Sequence, residues 1–455
     1  MKKLIILTAA TALLSSCGIY NQYKPVNTVP EKLYGDNITQ TGDTTNFGNT
    51  DWRKVFTDHH LQTLIEQGLK NNTDYQSAQL RIEEAEATLL SSNLAFLPSF
   101  AFSPQGGTSS FDGQKATWTY SVPITASWEV DIFGRMRNAK KQAQALYAQS
   151  KDYKQAVCTQ LIASIANTYY TLLMLDEQLN LSIQTAKTWE ETVASARSLM
   201  RAGQYDEAGV AQMEATCYNV QTSILDLKEQ INQAENSMAL LLAETPRHYE
   251  RGKLSEQILP ETFPLGIPLQ MLTNRPDVRS AEHSLEAAFY ATNQARSNFY
   301  PSITLSGSAG WTNEAGSMIA NPGKFLASAI ASLVQPLFNR GQNIANLRIA
   351  KAQQEEAKLS FQQTLLNAGT EVNDALVACQ TSREKANLYA KQVEALRRAE
   401  RSTSLLMKHG TRTYLEVLTA RQSLLNAELS QVANRFAEIQ SIVNLYLALG
   451  GGRTE

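Results

Sequence analysis

From Arg135 to Met200 the chain runs without a glycine or a proline, and from Gly341 to His409 a second stretch of similar length behaves almost the same way. At about 1.5 Å per residue, roughly 65 residues of unbroken helix make a rod on the order of 100 Å long. No single compact core needs such a rod. Apolar or small residues recur along the first stretch at spacings of three and four, through Met136, Ala139, Ala143, Leu146, Leu161, Ile165, Tyr169 and Leu172. Leu365, Gly369, Val372, Leu376 and Cys379 mark the same kind of line on the second. Each rod therefore has a seam to bury.

The two rods belong to a larger repetition. Leu97-Pro98-Ser99-Phe100 returns as Tyr300-Pro301-Ser302-Ile303, Phe133-Gly134-Arg135 as Phe338-Asn339-Arg340, and Arg201-Ala202-Gly203 as Lys408-His409-Gly410. Three matches in one order, each a little over 200 residues apart, predict two structural repeats of one plan. Residues 59–245 form the first repeat and 276–449 the second, each reading helix, β-hairpin, very long helix, break, helix. Residues 246–275, with Pro246, Pro260, Pro264 and Pro268, read as an extended connector. A short tail, 450–455, follows Gly450.

The hairpins span 99–130 and 302–335, with strands expected at about 99–109, 116–130, 302–311 and 324–334. In Thr117–Val130, Trp118, Tyr120, Val122, Ile124, Ala126 and Trp128 alternate with threonines, serines and Pro123. Ile303, Leu305, Gly307, Ala309 and Trp311 do the same in the second hairpin. Such alternation builds a strand with one apolar face. Pro123 deletes a ladder hydrogen bond, so it is expected to mark an edge of pairing or the point where the strand leaves the sheet.

The N-terminus explains what that face meets. Lys2 and Lys3 precede an apolar run from Leu4 to Leu14, the order of a secretory signal peptide over 1–16. The run is too short to span a bilayer. Leu14-Ser15-Ser16-Cys17-Gly18 resembles the lipobox of bacterial lipoproteins, which implies acylation of Cys17 and a lipid-anchored tether over 17–58. Cys158, Cys217 and Cys379 lie in helical stretches and read as packed hydrophobes. An exported chain whose other segments fall short of membrane-helix length can cross a membrane only with strands. Four strands cannot close a barrel, and an open edge in lipid is not viable. Two copies would supply eight strands and three would supply twelve. The apolar face then meets lipid, Trp118, Trp128 and Trp311 sit toward the interfaces, and the Ser/Thr face lines water.

Other function classes find little support. The net charge is −2, without a basic patch, so no nucleic-acid partner is expected. The five histidines, His59, His60, His248, His283 and His409, lack metal-ligand spacing. Gly316 to Phe325 mimics a phosphate loop, but its glycine spacing is wrong and Phe325 stands where Ser or Thr must reach magnesium. Glu83, Glu84 and Glu86 read as a wet helix face. No enzyme, cofactor or resident metal is expected.

Several longer strings carry a resemblance. Leu272-Thr273-Asn274-Arg275-Pro276-Asp277-Val278-Arg279, Phe299-Tyr300-Pro301-Ser302-Ile303, Trp128 to Arg135, and Ala448 to Gly452 resemble the TolC/OprM superfamily of outer-membrane efflux channels, in the lipoprotein branch that serves RND-type tripartite pumps. The resemblance implies a fold that is mainly α with membrane β: a homotrimer whose twelve-stranded barrel sits in outer-membrane lipid above an α-helical barrel crossing the periplasm. It implies a periplasmic membrane-fusion adaptor and an inner-membrane RND transporter as partners, and small molecules such as drugs as cargo. Met- or His-rich tracts that would favour copper or silver are absent from the sequence.

Gly410 to Ala420 is similar to the family's periplasmic tip, where an arginine and a tyrosine-like position latch the closed state. The resemblance implies Arg412 as the latch arginine, Tyr414 as the tyrosine position, Leu415 as a constriction and Glu416 as an acidic ring. Thr419 stands at a second acidic position, and Ala208-Gly209 replaces the usual Ser/Thr-Asp, with Asp206 and Glu207 just upstream as possible partners of Arg412. The alternatives to an efflux duct are the exit duct of a type I protein secretion system and a non-pore, lipid-anchored periplasmic coiled-coil adaptor.

Overall fold

The structure is a computed structural model that describes residues 20–30, 33–34, 45–110, 112–113, 115–258, 260, 262–266, 268–315, 318–409 and 413–453. The signal peptide, Cys17 and Arg412 lie outside the described residues. In chain order the principal elements are α1 (His59–Asn71), α2 (Thr73–Leu94), β1 (Ser99–Phe102), β2 (Gln105–Ser109), β3 (Thr117–Val130), α3 (Arg135–Arg201) and α4 (Glu207–Leu242). After the connector come α5 (Pro276–Ser297), β4 (Ser302–Ala315), β5 (Met318–Val334), α6 (Gln342–Lys408) and α7 (Tyr414–Ala448). The two long helices, α3 and α6, are each 67 residues. No helix among the described residues is long and apolar enough to cross a membrane.

The chain divides into two compact units that cut across the sequence repeats. One gathers Leu80–Asp152, Arg279–Gln363 and the residues up to Val26; the other gathers Asn27–Gln79, Tyr153–Val278 and Thr364–Glu455.

The first unit holds an antiparallel sheet in which β1 and β2 both pair with β3, β3 pairs with β4, and β4 with β5. Four lanes result, because β1 and β2 are two halves of the single strand expected over 99–109. The lane lapses at Ser103-Pro104, opposite Pro123: β1 ends with Phe102 facing Ile124, and β2 starts with Gln105 facing Ser121. A proline on either side leaves too few N–H groups to sustain the ladder there. On its other flank Pro123 stays paired, with Gly310. A Cβ on Gly310 would fall 2.2 Å from the Val122 carbonyl oxygen, so this close approach requires glycine. Pro123 thus marks an edge of pairing on one side only, and the strand does not leave the sheet.

The second hairpin is longer than the apolar alternation indicated, with β4 reaching Ala315 and β5 starting at Met318. Backbone pairing does not need apolar side chains, so the ladder continues past the amphipathic part. It passes a bulge between Thr312 and Glu314. There Asn313 takes the place of a peptide group: its Oδ1 accepts from Tyr120 N–H at 2.6 Å and its Nδ2 donates to the Trp118 carbonyl at 2.9 Å.

In the second unit, α1 packs on α4 and on the middle of α3. Gly68 lies against Ile165 and Leu242, and Leu61, Ile65, Tyr169, Leu172 and Met238 are buried around it. The single helix expected over 59–96 is broken at Asn72. Its Nδ2 donates to the Leu241 carbonyl at 3.0 Å while its Oδ1 accepts from Tyr75 N–H, so a tertiary bond and a local cap both hold the kink.

The region expected as a loose tether is docked where it is described. In the first unit Tyr23 meets Phe289 edge-on at 5.7 Å, and Tyr20 lies against Gly134. In the second, Phe47, Trp52 and Phe56 are buried, and Phe47 and Phe56 both contact Tyr446 edge-on. Aromatic burial of this size stabilises by about 1.5–3 kcal/mol per side chain. The sequence shows no period here because these residues act as single anchors.

Candidate functional site

The sheet of the first unit has its apolar side turned outward. From Thr117 to Thr125 of β3 the apolar residues are the more exposed and the threonines the less exposed: Trp118 is 71% exposed, and Tyr120, Val122 and Ile124 all exceed their neighbours. Register places Phe100 and Phe102 beside Ala126 and Ile124, and places Leu305, Gly307, Ala309 and Trp311 beside Trp128, Ala126, Ile124 and Val122. Phe325, Ala327, Ala329, Ala331 and Leu333 of β5 continue this face, with Trp311 and Phe325 edge-on at 5.3 Å. The opposite face carries Ser99, Thr119, Ser121, Thr125, Thr304, Ser306 and Ser308, and on β5 Ser328 and Ser332 together with Leu326, Ile330 and Val334. A water-soluble sandwich would bury the apolar side against a second layer; among the described residues none covers this one. Trp118 and Trp128 share that face, about 10 residues apart. At about 3.3 Å per residue and a tilt near 40° they are separated by roughly 25 Å along the membrane normal, the height of a barrel's apolar band.

At the foot of the sheet Phe133 stacks on Tyr300, with ring centroids 5.1 Å apart and planes 12° from parallel. They sit in a cleft of about 320 Å³ that also takes in Glu129 and Arg135, which form an ion pair. Tyr20 is seated nearby: burial, followed by the charges around it, among them Asp131, pushes its hydroxyl up to about 12. In the same unit Asp152 is a buried carboxylate approached by Arg279 and by His283 Nε2 at 3.4 Å. Burial raises its pKa and outweighs the lowering by Arg279 and His283.

The second unit contains the tip, where α3 turns into α4 and α7 begins. The turn after α3 has Gly203 at φ +70°, the left-handed value that closes a helix. Ala186, Trp189, Val193, Ala196, Val210, Met213, Cys217, Val220 and Leu425 form its buried core. Asp206 is the N-cap of α4, its Oδ1 accepting from Gly209 N–H at 2.5 Å. Glu207 is exposed in the first turn of the same helix. Tyr414 leans on Tyr205 edge-on at 5.8 Å, and burial, then Tyr205, raises its pKa well above the ordinary value. Leu415 is 62% exposed, Glu416 is half-buried, and the Thr419 hydroxyl donates to the Leu415 carbonyl. The structure therefore joins the α3–α4 turn to the start of α7 through tyrosines. Asp206 serves a helix end.

Sequence reasoning missed Arg421. Its Nε donates to Glu400 of α6 at 3.0 Å, its Nη1 donates to Thr192 of α3 at 2.7 Å, and its guanidinium lies 5.8 Å from the Trp189 ring centroid. One side chain of α7 thus holds both long helices. Arg397 of α6 adds a second tie to Glu428 of α7 at 2.7 Å. The readable signal was an arginine on the apolar seam, four residues after Val417 and four before Leu425.

Also missed was the work of Arg275 beyond starting a helix. Buried at 6% exposure, it pairs with Asp277 at 2.6 Å and Glu371 at 2.7 Å, and donates to the Ala448 carbonyl at 3.0 Å. The connector, α6 and the end of α7 meet on this guanidinium. In the same unit, Asp58 accepts from Tyr169, Gln257 and the backbone of His60. Burial pushes its pKa up, but these bonds outweigh burial and leave it lowered. Among the described residues no group of three or more His, Cys, Asp or Glu could hold a metal ion.

A sheet turned apolar side out and two continuous 67-residue helices define a class of protein that crosses a bilayer with strands. The chain belongs to the outer membrane efflux protein family, whose description matches residues 64–244 and 267–451. It is 28% identical over 456 residues to the cation efflux system protein CusC of Escherichia coli K12, covering 99% of each chain. It is 27% identical over 465 residues to the probable outer membrane lipoprotein SilC of Salmonella typhimurium, covering all of both. It is 28% identical over 472 residues to the toluene efflux pump outer membrane protein TtgC of Pseudomonas putida, covering 99% of this chain and 96% of that one. A solved structure of CusC superposes with a TM-score of 0.86 at 26% identity, over 96% of this chain and 100% of that one. The chain is an outer-membrane efflux channel protein, mainly α-helical with a membrane β-sheet, and its relatives are channels, not enzymes.

Proposed function

We propose that this chain is the outer-membrane exit duct of a tripartite efflux pump, formed when three copies close their four-lane sheets into a twelve-stranded barrel. The carrying observation is the sheet: apolar outward, hydroxyl-rich inward, with an unpaired edge on each side. Two copies would make an eight-stranded barrel, whose interior fills with side chains, whereas twelve strands leave an aqueous lumen. Acylation at Cys17 anchors the chain; Cys17 is three residues before Tyr20, so a link of at most roughly 10 Å connects the anchor to the foot of the sheet.

The duct is passive. Energy comes from an inner-membrane RND transporter, and a periplasmic membrane-fusion adaptor joins that transporter to the tip. The tip is the gate, with Leu415, Glu416 and Thr419 toward the constriction and Arg412, on the strength of the family resemblance, as the latch to Asp206 or Glu207. Tyr205–Tyr414 and the Arg421 ties to Glu400 and Thr192 hold it shut. The cargo is small organic molecules such as drugs, in keeping with a sequence without Met- or His-rich tracts; relatives are named for cations and for toluene.

The test is planar-bilayer recording of full-length trimer, wild type beside Arg421→Ala. Channel openings, larger or more frequent in the variant, support the duct and its gate. Inserted trimer that never conducts in either form overturns the reading.

A further inference from the structure

Charge is distributed unequally between the two ends of the membrane sheet. At the far end, beyond Trp118 and Trp311, Asp112 and Glu314 balance Lys115 and Lys324. At the foot, over 128–141, 294–304 and 333–345, the cations are Arg135, Arg137, Lys140, Lys141, Arg296 and Arg340, against the carboxylates Glu129 and Asp131 alone. Both carboxylates are engaged, Glu129 by Arg135 and Asp131 by Arg137 at 3.3 Å. Among the described residues no carboxylate lies within ion-pair distance of Lys140, Lys141, Arg296 or Arg340. A chain of net charge −2 thus gathers its uncompensated cations immediately below the apolar face. Helix stability does not ask for them. Lys140 and Lys141 stand in the second turn of α3 and Arg340 just before α6, near helix N-termini, where the macrodipole disfavours positive charge. Neither long helix has an acidic residue in its first turn to offset them. Arg340 also holds a φ of +47°, a left-handed value uncommon for a residue with a Cβ. Only Arg296, in the last turn of α5, sits where the dipole favours a cation.

We infer that the foot of the sheet is a headgroup site, in which Lys140, Lys141, Arg296 and Arg340 bind the phosphodiester groups of phospholipids in the periplasmic leaflet, anionic lipids in preference to zwitterionic ones. Depth agrees. The polar layer extends roughly 5–8 Å beyond the hydrocarbon, and at about 1.5 Å per residue Lys140 and Lys141 lie within roughly 10 Å of the start of α3. Cβ bonds tilt toward a helix N-terminus, so both lysine chains lean back toward the sheet and span the remainder. The anchor enters the same layer. Lys141 Nζ lies 5.3 Å from the ring centroid of Tyr290, whose neighbour Phe289 carries Tyr23, while Arg137 and Arg296 both act on the Tyr20 hydroxyl. The cations therefore border the N-terminal segment that leads up to Cys17. Arginine offers a phosphate two parallel N–H donors and lysine a point charge. A membrane lipid is the occupant because the patch continues the apolar face without a break: acyl chains cover that face while their own headgroups reach the cations. The charge-balanced far end offers no such attraction.

The inference rests on the membrane reading of the sheet, and lipid titration separates the two. Full-length protein in detergent is titrated with dioleoylphosphatidylglycerol or dioleoylphosphatidylcholine, and bound lipid is counted by native mass spectrometry. Wild type should hold phosphatidylglycerol about tenfold more tightly than phosphatidylcholine, or better. That preference should shrink as salt is raised, because screening weakens exposed charge pairs; the salt series needs no variant. Combining Lys140→Gln, Lys141→Gln, Arg296→Gln and Arg340→Gln should abolish the preference. Combining Lys385→Gln, Lys391→Gln, Arg398→Gln and Arg401→Gln, four exposed cations of α6 in the other unit, should leave it intact. A wild type that holds both lipids equally, a preference indifferent to salt, or a foot variant that keeps it overturns the site and leaves the membrane sheet standing. Protein that inserts neither into phosphatidylcholine vesicles nor into vesicles containing phosphatidylglycerol overturns the membrane reading and the inference with it.

Discussion

The membrane sheet and the helical tip are built from the same residue types placed in opposite ways. In the sheet, Trp118, Ile124 and Trp311 point away from the chain and serines and threonines are the less exposed; in the tip, Trp189, Val193 and Val210 are buried, and Arg421 and Glu400 pair beside them. The hydrophobic effect is one force in both places, but it stabilises the tip by removing apolar area from water and the sheet only once lipid replaces water. The tip can therefore form within a single chain. The sheet is incomplete until both bilayer and neighbours arrive.

The contrast can be broken by substitutions that respect one solvent and not the other. The largest effect is expected in the tip: Trp189→Ala, at a position 1% exposed, should cost about 3–5 kcal/mol, read as a lower melting temperature of the helical signal in detergent. In the sheet, Ile124→Arg places a charge roughly midway along the lipid-facing side of β3 and should cost about 2–4 kcal/mol, whereas its neighbour Thr125→Arg should change stability by about 0.5 kcal/mol or less. Unfolding the pair from bilayers measures this; equal losses would mean that the two faces do not meet different solvents. The smallest is Asp206→Ala, which removes an N-cap from α4 at about 1 kcal/mol. It should loosen amide protection in the first turn of α4 and leave the sheet untouched, so a change in barrel assembly would show that the tip and the sheet are coupled.

What the sequence disclosed follows the same division. The long helices were legible because nothing in Arg135–Met200 can stop a helix, and the strands because Thr117–Val130 alternates with period two. The family resemblance rested on strings such as Arg275-Pro276-Asp277. Features decided by distant partners were not legible. Asn72 breaks a helix only because the Leu241 carbonyl lies within its reach. Ser103-Pro104 splits a strand because Pro123 lies opposite. Phe47, Trp52 and Phe56 look like a polar segment's stray aromatics until Tyr446 is placed among them. Among the candidate gate residues, the motif identified Tyr414 by position but not its contact with Tyr205. Arg421 was passed over because its partners sit on two other helices.

Arg275 has a consequence for the order of events in biogenesis. Its hydrogen bond to the Ala448 carbonyl spans 173 positions of sequence, so it cannot form until nearly the whole chain is present, although closing a ring of that length costs only slightly more than closing one half as long. The joint between the connector and the final helix must therefore await the arrival of that helix in the periplasm. Until then Arg275 can reach its carboxylate partners Asp277 and Glu371 but not its terminal acceptor.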